Sequence, residues 1–163
     1  VLIKAANILR DYKDIAFVVV GDGSEKENLI KMVEEMNLDN VIFIPSIPKK
    51  QVQTMLKYFD VCYKGSRKSS LYRYGLSPVK LMEYMLSGKP IIHSANAVYD
   101  IIIESRCGVA VDSENPYSVA KAVLDLKSLS EKERVFMGLR GRNYVVNNCN
   151  YNILALKFLG FLK

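Results

Sequence analysis

The sequence has no tryptophan and a single histidine, His93, so a metal site built from several histidines is excluded. Its three cysteines, Cys62, Cys107 and Cys149, are odd in number, far apart and without a CxxC pair. They read as buried thiols of a reducing compartment rather than as a disulfide framework or a zinc site. Long apolar runs are missing too. Charge interrupts every hydrophobic segment, which leaves no candidate for a membrane-spanning helix. Lys4 and Arg10 break the first run, so no signal peptide is expected there. Gly21-Asp22-Gly23 has Lys26 where a third glycine would complete a dinucleotide fingerprint, and GxxxxGK[ST] and GxSxG are both absent. One further absence is local. No Asp or Glu occurs between Val61 and Met82, a stretch that contains Lys64, Arg67, Lys68, Arg73 and Lys80.

What is present is a chain of 163 residues, long enough for one domain with a real core, half of it hydrophobic. Twenty-three basic against seventeen acidic side chains give a net charge of +6. That balance favours anionic partners: phosphorylated ligands, anionic lipid surfaces or nucleic acid. Helical and strand patterns alternate along the chain. A helix is expected over Val1–Arg10, then a strand over Ile15–Val20, an unbroken apolar and β-branched run of the kind covered on both faces. Gly21–Gly23 is a turn, and Ser24 is expected to cap a helix from Glu25 to Met36. Strands follow at Asn40–Ile44, Asp60–Tyr63, Pro90–His93 and Gly108–Val111. Helices are expected over Lys49–Tyr58, Pro78–Ser87, a short piece ending near Ser105, Pro116–Lys127, Glu131–Asn147 with Ser130 as its cap, and from Tyr151 onward. This alternation predicts an α/β fold, a Rossmann-like open parallel sheet with helices on both faces. Ligands of such sheets bind at the carboxyl ends of the strands. Four loops converge there: Gly21–Ser24, Pro45–Pro48, Lys64–Ser77 and Ser94–Val98.

The stretch from Ser77 to Pro90 (SPVKLMEYMLSGKP) is the most informative. Ser77 suits an N-cap, Pro78 the first helical position and Gly88 the residue after the helix. Lys80 stands in the first turn, where a cation opposes the helix dipole. With the acid-free basic loop leading into it, this end of the helix reads as a seat for a phosphate or diphosphate. Glu83, one turn later, is placed to accept hydrogen bonds from sugar hydroxyls. The plainer alternative is a solvated loop and a surface Lys80–Glu83 ion pair contributing at most about 0.5 kcal/mol. Tyr72, Tyr74 and Tyr84 flank the basic loop, but the charge is confined to that loop. This argues for a small phosphorylated ligand over nucleic acid. His93, at the end of a strand, reads more simply as a packed, hydrogen-bonded residue than as a catalyst.

Taken together, VVVGDGSEKENL, NVIFIPSIPKKQVQTMLKYFDVCYK, YGLSPVKLMEYMLSGKPIIHS and CGVAVDSENPYSVAKAVLDL resemble the C-terminal, donor-binding half of a retaining GT-B glycosyltransferase of family 4 (group 1). The resemblance covers nearly the whole chain, in order. The variant SPxKLxEYMxxGKP is similar to bacterial enzymes of surface-polysaccharide synthesis that transfer N-acetylated amino sugars. It implies a single nucleotide-sugar-binding domain over residues 1–163, using a UDP-sugar without a metal or other cofactor. Glu83 would hold the ribose hydroxyls, and Ser77, Pro78, Val79 and Lys80 the diphosphate. Gly21 and Gly23 would approach the donor, and Ser46 and Ile47 the base. The family's paired glutamate falls at Gly75, so the sugar contact passes to Tyr74 or Arg73. A first strand of this domain, and an acceptor domain before it, are expected ahead of Val1. The chain alone is therefore expected to be nearly inactive. Expected partners are the nucleotide-sugar donor, that acceptor domain and a lipid-linked or saccharide acceptor, with a cytoplasmic location, peripheral to the inner face of a membrane. A non-catalytic nucleotide-binding module and a GT-B nucleotide-sugar epimerase are the alternatives.

Overall fold

The computed structural model of the protein describes residues 1–70, 72, 79–96 and 100–161, with Lys157 described by its backbone alone. In chain order the described elements are α1 (Leu2–Ile8), β1 (Phe17–Val20), α2 (Lys26–Glu35), β2 (Val41–Ile44), α3 (Lys49–Leu56), β3 (Cys62–Gly65) and α4 (Val79–Leu86). They continue with β4 (Ile91–Ser94), α5 (Ile101–Glu104), β5 (Gly108–Val111), α6 (Pro116–Ser128), α7 (Glu131–Asn148) and α8 (Tyr151–Phe161). Every strand pair is parallel. The α/β, Rossmann-like architecture read from the sequence is the one observed. Its hydrogen-bonded ladders, however, form two groups among the described residues, β1-β2 and β3-β4-β5, instead of one continuous sheet.

Local chemistry explains where the helices begin and end. Asn115 Oδ1 accepts from the Tyr117 and Ser118 amides, and Pro116 opens α6 at a position whose N–H has no helical partner. Ser130 and Glu133 cap α7 reciprocally as a capping box. Gly88 ends α4 with φ +72°, a left-handed conformation that glycine adopts without steric cost. The expected Ser24 cap does not form. The Lys26 amide bonds to the Gly23 carbonyl, so Ser24 lies inside a turn and α2 starts at Lys26 after Glu25. β3 and β4 each run further along the chain than the alternation predicts, which moves Lys64 from the basic loop into β3 and Ser94 into β4.

The core has two main parts. Ile3, Ala5 and Ala6 of α1 and Leu9 just after it meet Phe17, Val119 and Ala120, while Leu81 and Met85 of α4 pack with Ile91, Ile102, Cys107 and Val145. The second depends on close approach of α7. A Cβ on Gly138 would stand 1.8 Å from the Gly88 carbonyl oxygen, and one on Gly141 2.8 Å from Cys107 Cβ. Cys62 and Cys107 are buried thiols, and burial pushes Cys62 up to about 11. Among the described residues no helix is long and apolar enough to cross a membrane.

Candidate functional site

Two turns at the carboxyl ends of β1 and β2 are tied together. Gly21 takes φ +128°, a conformation open to glycine, and lets the chain leave β1 sharply. The next residue, Asp22, accepts from Lys26 Nζ at 2.6 Å and from the Ser46 amide at 3.1 Å. These bonds, the Lys26 one first, hold its carboxyl down at about 2. Asp22 thus links the β1 turn to the loop after β2. The sequence marked Gly21, Gly23 and Ser46 here, but not Asp22. Its only local signal was the i,i+4 spacing to Lys26.

Facing this pair of turns is the first half of α4. Val79 and Lys80 form its opening turn and are exposed, and Glu83 follows on the side toward α3. Gln53 Nε2 donates to the Glu83 carbonyl at 2.9 Å, fixing α3 against α4. The Glu83 carboxylate has Lys49 Nζ at 3.8 Å, at the outer limit of an ion pair, with the lysine side chain 88% exposed. The Lys80–Glu83 ion pair of the plainer alternative is not among the ion pairs of the described residues. Both side chains line one cleft of about 1030 Å³ together with Gly21, Ser46 and Ile47. Five of the residues singled out by sequence therefore share one cavity, although they come from three separate segments. Gly23 and Val79 do not line it. Arg73, Tyr74, Gly75, Ser77 and Pro78 lie outside the described residues.

The electrostatics around Lys64 favour a nearby negative charge. Lys64, near the end of β3, donates to Ser66 Oγ at 2.9 Å and to the Gly65 carbonyl at 2.7 Å, both neutral acceptors. Burial, and after it the nearby charge of Lys80, holds its ammonium below the usual lysine value. Two cations from different elements therefore feel one another. An anion between them would relieve the repulsion and replace lost solvation.

His93 behaves as the simpler reading has it. It is 1% exposed, and its Nδ1–H donates to Asp100 Oδ2 at 2.8 Å. Asp100 also caps α5 by accepting from the Ile102 amide at 2.9 Å. The histidine thus ties β4 to the start of α5 through Asp100. Among the described residues no group of three His, Cys, Asp or Glu side chains is arranged to hold a metal ion.

The sequence matches the family model described as "Glycosyl transferases group 1" over residues 1–143. No curated protein matches it. Among solved structures, TarM of S. aureus, in complex with fondaparinux, alpha-GlcNAc-glycerol and UDP, superposes with a TM-score of 0.79 at 20% identity, over 98% of this chain and 31% of TarM. The C-terminal domain of the group 1 glycosyl transferase LpcC from Francisella tularensis gives 0.72 at 24% identity, over 91% of this chain and 77% of that domain. Anabaena HepE, in complex with UDP-glucose, gives 0.76 at 13% identity, over 99% of this chain and 43% of HepE. The chain spans about a third of TarM and about two-fifths of the sucrose-phosphate synthase of Thermosynechococcus elongatus. At these identities the superpositions establish the fold, which is that of GT-B glycosyltransferase C-terminal domains.

Proposed function

The chain belongs to the group 1 glycosyl transferases, and from that premise we propose that it is the donor-binding domain of a retaining enzyme that takes its sugar from a UDP-sugar. The observation that carries the reading is the shared cleft. Gly21, Ser46, Ile47, Lys80 and Glu83 meet there, beside a Lys64 whose charge is held at a cost. Lys64 and Lys80 take the diphosphate, and the Glu83 carboxylate accepts from the ribose hydroxyls. The loop at Ser46 and Ile47, braced by Asp22, meets the base. During transfer, negative charge grows on the departing nucleotide diphosphate. Fixed cations in a partly dry cleft stabilise that charge more in the transition state than in the ground state, which is where rate is gained. No metal is needed for this, because the lysines supply the positive charge.

UDP is proposed because TarM and HepE were solved with UDP and UDP-glucose. Transfer of a hexosyl or N-acetylhexosaminyl group into a polysaccharide or glycolipid follows from the likeness of SPVKLMEYMLSGKP to the amino-sugar transferases. The acceptor binds a second domain of the same polypeptide, so this domain alone binds donor without turning it over. The net charge of +6 suits work at the cytoplasmic face of an anionic membrane.

Calorimetric titration with UDP, using GDP and ADP as controls, tests the reading. Saturable UDP binding is expected, weakened roughly ten- to hundredfold in Glu83→Ala, because charged hydrogen bonds contribute about 1.5–3 kcal/mol. Lys80→Ala should weaken UDP more than uridine. Affinity should also fall as pH rises through the lowered value of Lys64, because only the ammonium form attracts the diphosphate, and Lys64→Ala should abolish that dependence. Unchanged UDP affinity in Glu83→Ala and Lys80→Ala would sink the site assignment. Nucleotide binding without transfer by the whole polypeptide would favour a non-catalytic module, with Gly75 in the place of a glutamate as its cause.

A further inference from the structure

α3 carries the Ser46–Ile47 loop at its start and reaches Glu83 with its side chains. Pro48 precedes its first residue, and the Gln51 amide donates to the Pro48 carbonyl at 2.8 Å, so the loop runs directly into the helix. Lys49, Gln53 and Leu56 follow one another along one face of α3, at i, i+4 and i+7. Leu56 joins the core of Leu81 and Met85 from α4, and Val52 packs against it. The two polar residues of that face both end on Glu83. Lys49 meets its carboxylate at 3.8 Å, and Gln53 donates to its backbone carbonyl at 2.9 Å. These contacts differ in what they can hold. The Lys49 side chain is 88% exposed, and a solvated pair at that distance contributes little. The Gln53 bond is partly buried, and its acceptor has room for it. The Ser87 amide divides itself between the Glu83 and Tyr84 carbonyls, 3.2 Å from each, and a carbonyl oxygen has two lone pairs. Toward the start of α4 the side chains are open, with Val79 70% exposed. Core packing therefore holds α4 at Leu81 and Met85, and Gln53 holds the turn that presents Glu83.

We infer that Gln53 is a positioning residue for the donor: it fixes the span between the Ser46–Ile47 loop and the Glu83 carboxylate, and so sets the preference of the site for a ribonucleotide over its 2′-deoxy counterpart. The inference rests on the donor-site reading above, in which Glu83 accepts from the ribose hydroxyls. Gln53 does not line the cleft, so it acts through Glu83. The connection is continuous. Asp22 holds the Ser46 amide at 3.1 Å, Pro48 leads into α3, and Gln53 ties α3 to the backbone of Glu83. Within a nucleotide, the furanose ring keeps the base and the 2′-hydroxyl at a nearly constant separation. A carboxylate held at that separation from the base loop accepts from the hydroxyl, and a shift of about 1 Å takes it out of hydrogen-bonding range. Contacts to the base and to the phosphates do not depend on this span. Loss of the Gln53 bond therefore shows in the hydroxyl and not in the rest of the ligand.

The test is calorimetric titration with UDP and with 2′-deoxy-UDP, on the parent chain and on Gln53→Leu, Gln53→Glu, Lys49→Ala and Glu83→Ala, with a urea melt of each to confirm folding. The parent should favour UDP by about tenfold or more, and Glu83→Ala should abolish that ratio, because the hydrogen bond it loses is to a charged group. Gln53→Leu keeps a helix-favouring side chain of similar size, and Gln53→Glu keeps the shape but has no proton to donate. Both should bring the ratio below about threefold, chiefly by weakening UDP. Lys49→Ala should keep the parental ratio. A parental ratio in either folded Gln53 variant would overturn the proposal even if both ligands bound more weakly, since equal weakening is what a merely structural role gives. If Glu83→Ala still removed the ratio, the donor reading would stand without Gln53. Loss of the ratio in Lys49→Ala alone would overturn the proposal too and assign the role to the lysine. A parent that binds both nucleotides equally would take Glu83 off the ribose, and both the donor reading of that residue and this inference would fall.

Discussion

β1 and β4 reverse the order that hydropathy would assign them. β1 is Phe-Val-Val-Val, yet only Phe17 is buried and the three valines are half-exposed. β4 is Ile-Ile-His-Ser, and all four residues are buried. β4 is paired on both sides, by β3 and β5, and packed against α4 and α6, whereas among the described residues β1 is paired only with β2. Burial of a strand is thus settled by how many neighbours it has, and its own side chains decide only what it can tolerate. His93 and Ser94 are each held by a partner, Asp100 Oδ2 for the imidazole Nδ1 and the Asp112 carbonyl for the hydroxyl.

The contrast can be broken by mutation. Ile91→Ala should cost about 2–5 kcal/mol in a urea melt, since its side chain is fully enclosed, whereas Val19→Ala should cost about 1 kcal/mol or less. Equal losses would mean that β1 is as well packed as β4. Gly138→Ala should lose about 1–3 kcal/mol despite alanine's better helix propensity, because the new Cβ meets the Gly88 carbonyl. Gly23→Ala, where a Cβ meets nothing, should stay within about 0.5 kcal/mol of the parent.

A smaller effect lies in the acid limb of stability. Asp22 has a folded value of about 2 against 3.8 ordinarily, so its contribution is present above 3.8 and lost as pH falls toward 2. Asp22→Asn should flatten the pH dependence of the melting temperature in that window and leave it unchanged above pH 5. A parallel acid limb in the variant would show that Asp22 does not brace the two turns. The smallest signal is kinetic. Cys62, pushed up to about 11 by burial, should be alkylated by iodoacetamide at neutral pH only when the domain opens. Its rate should therefore follow urea concentration.

Much of the fold was legible because each element carries its own evidence. Pro116 after Asn115, Ser130 before Glu133, and Gly88 before Pro90 mark helix ends by local hydrogen bonding and sterics, which need no tertiary information. What was missed is non-local. Ser24 looked like a cap, but the Gly23–Lys26 turn claimed the chain first. Lys64 looked like loop, and pairing with β4 drew it into a strand. Gly138 and Gly141 stand inside α7, where glycine lowers helix stability, and only the approach of α7 to Gly88 and Cys107 gives them a purpose. In the candidate site, Lys80, Glu83 and Gly21 were marked by local patterns, Ser46 and Ile47 only by the family resemblance. Asp22 was marked by neither, because its partner Ser46 stands 24 residues away.

The sequence by itself determined the order of strands and helices, the parallel α/β class, the basic character of the loop before α4 and the membership of a glycosyltransferase family. These follow from periodicity, capping chemistry and charge, all of which act over a few residues, and from a family pattern spread along the chain. Tertiary structure alone decided which strands pair, which valines stay open, and how close the lysines of β3 and α4 come to one another. Pairing and proximity are properties of segments far apart in the chain. The free energy that fixes them comes from burial and hydrogen bonding between elements, which no single stretch of sequence contains.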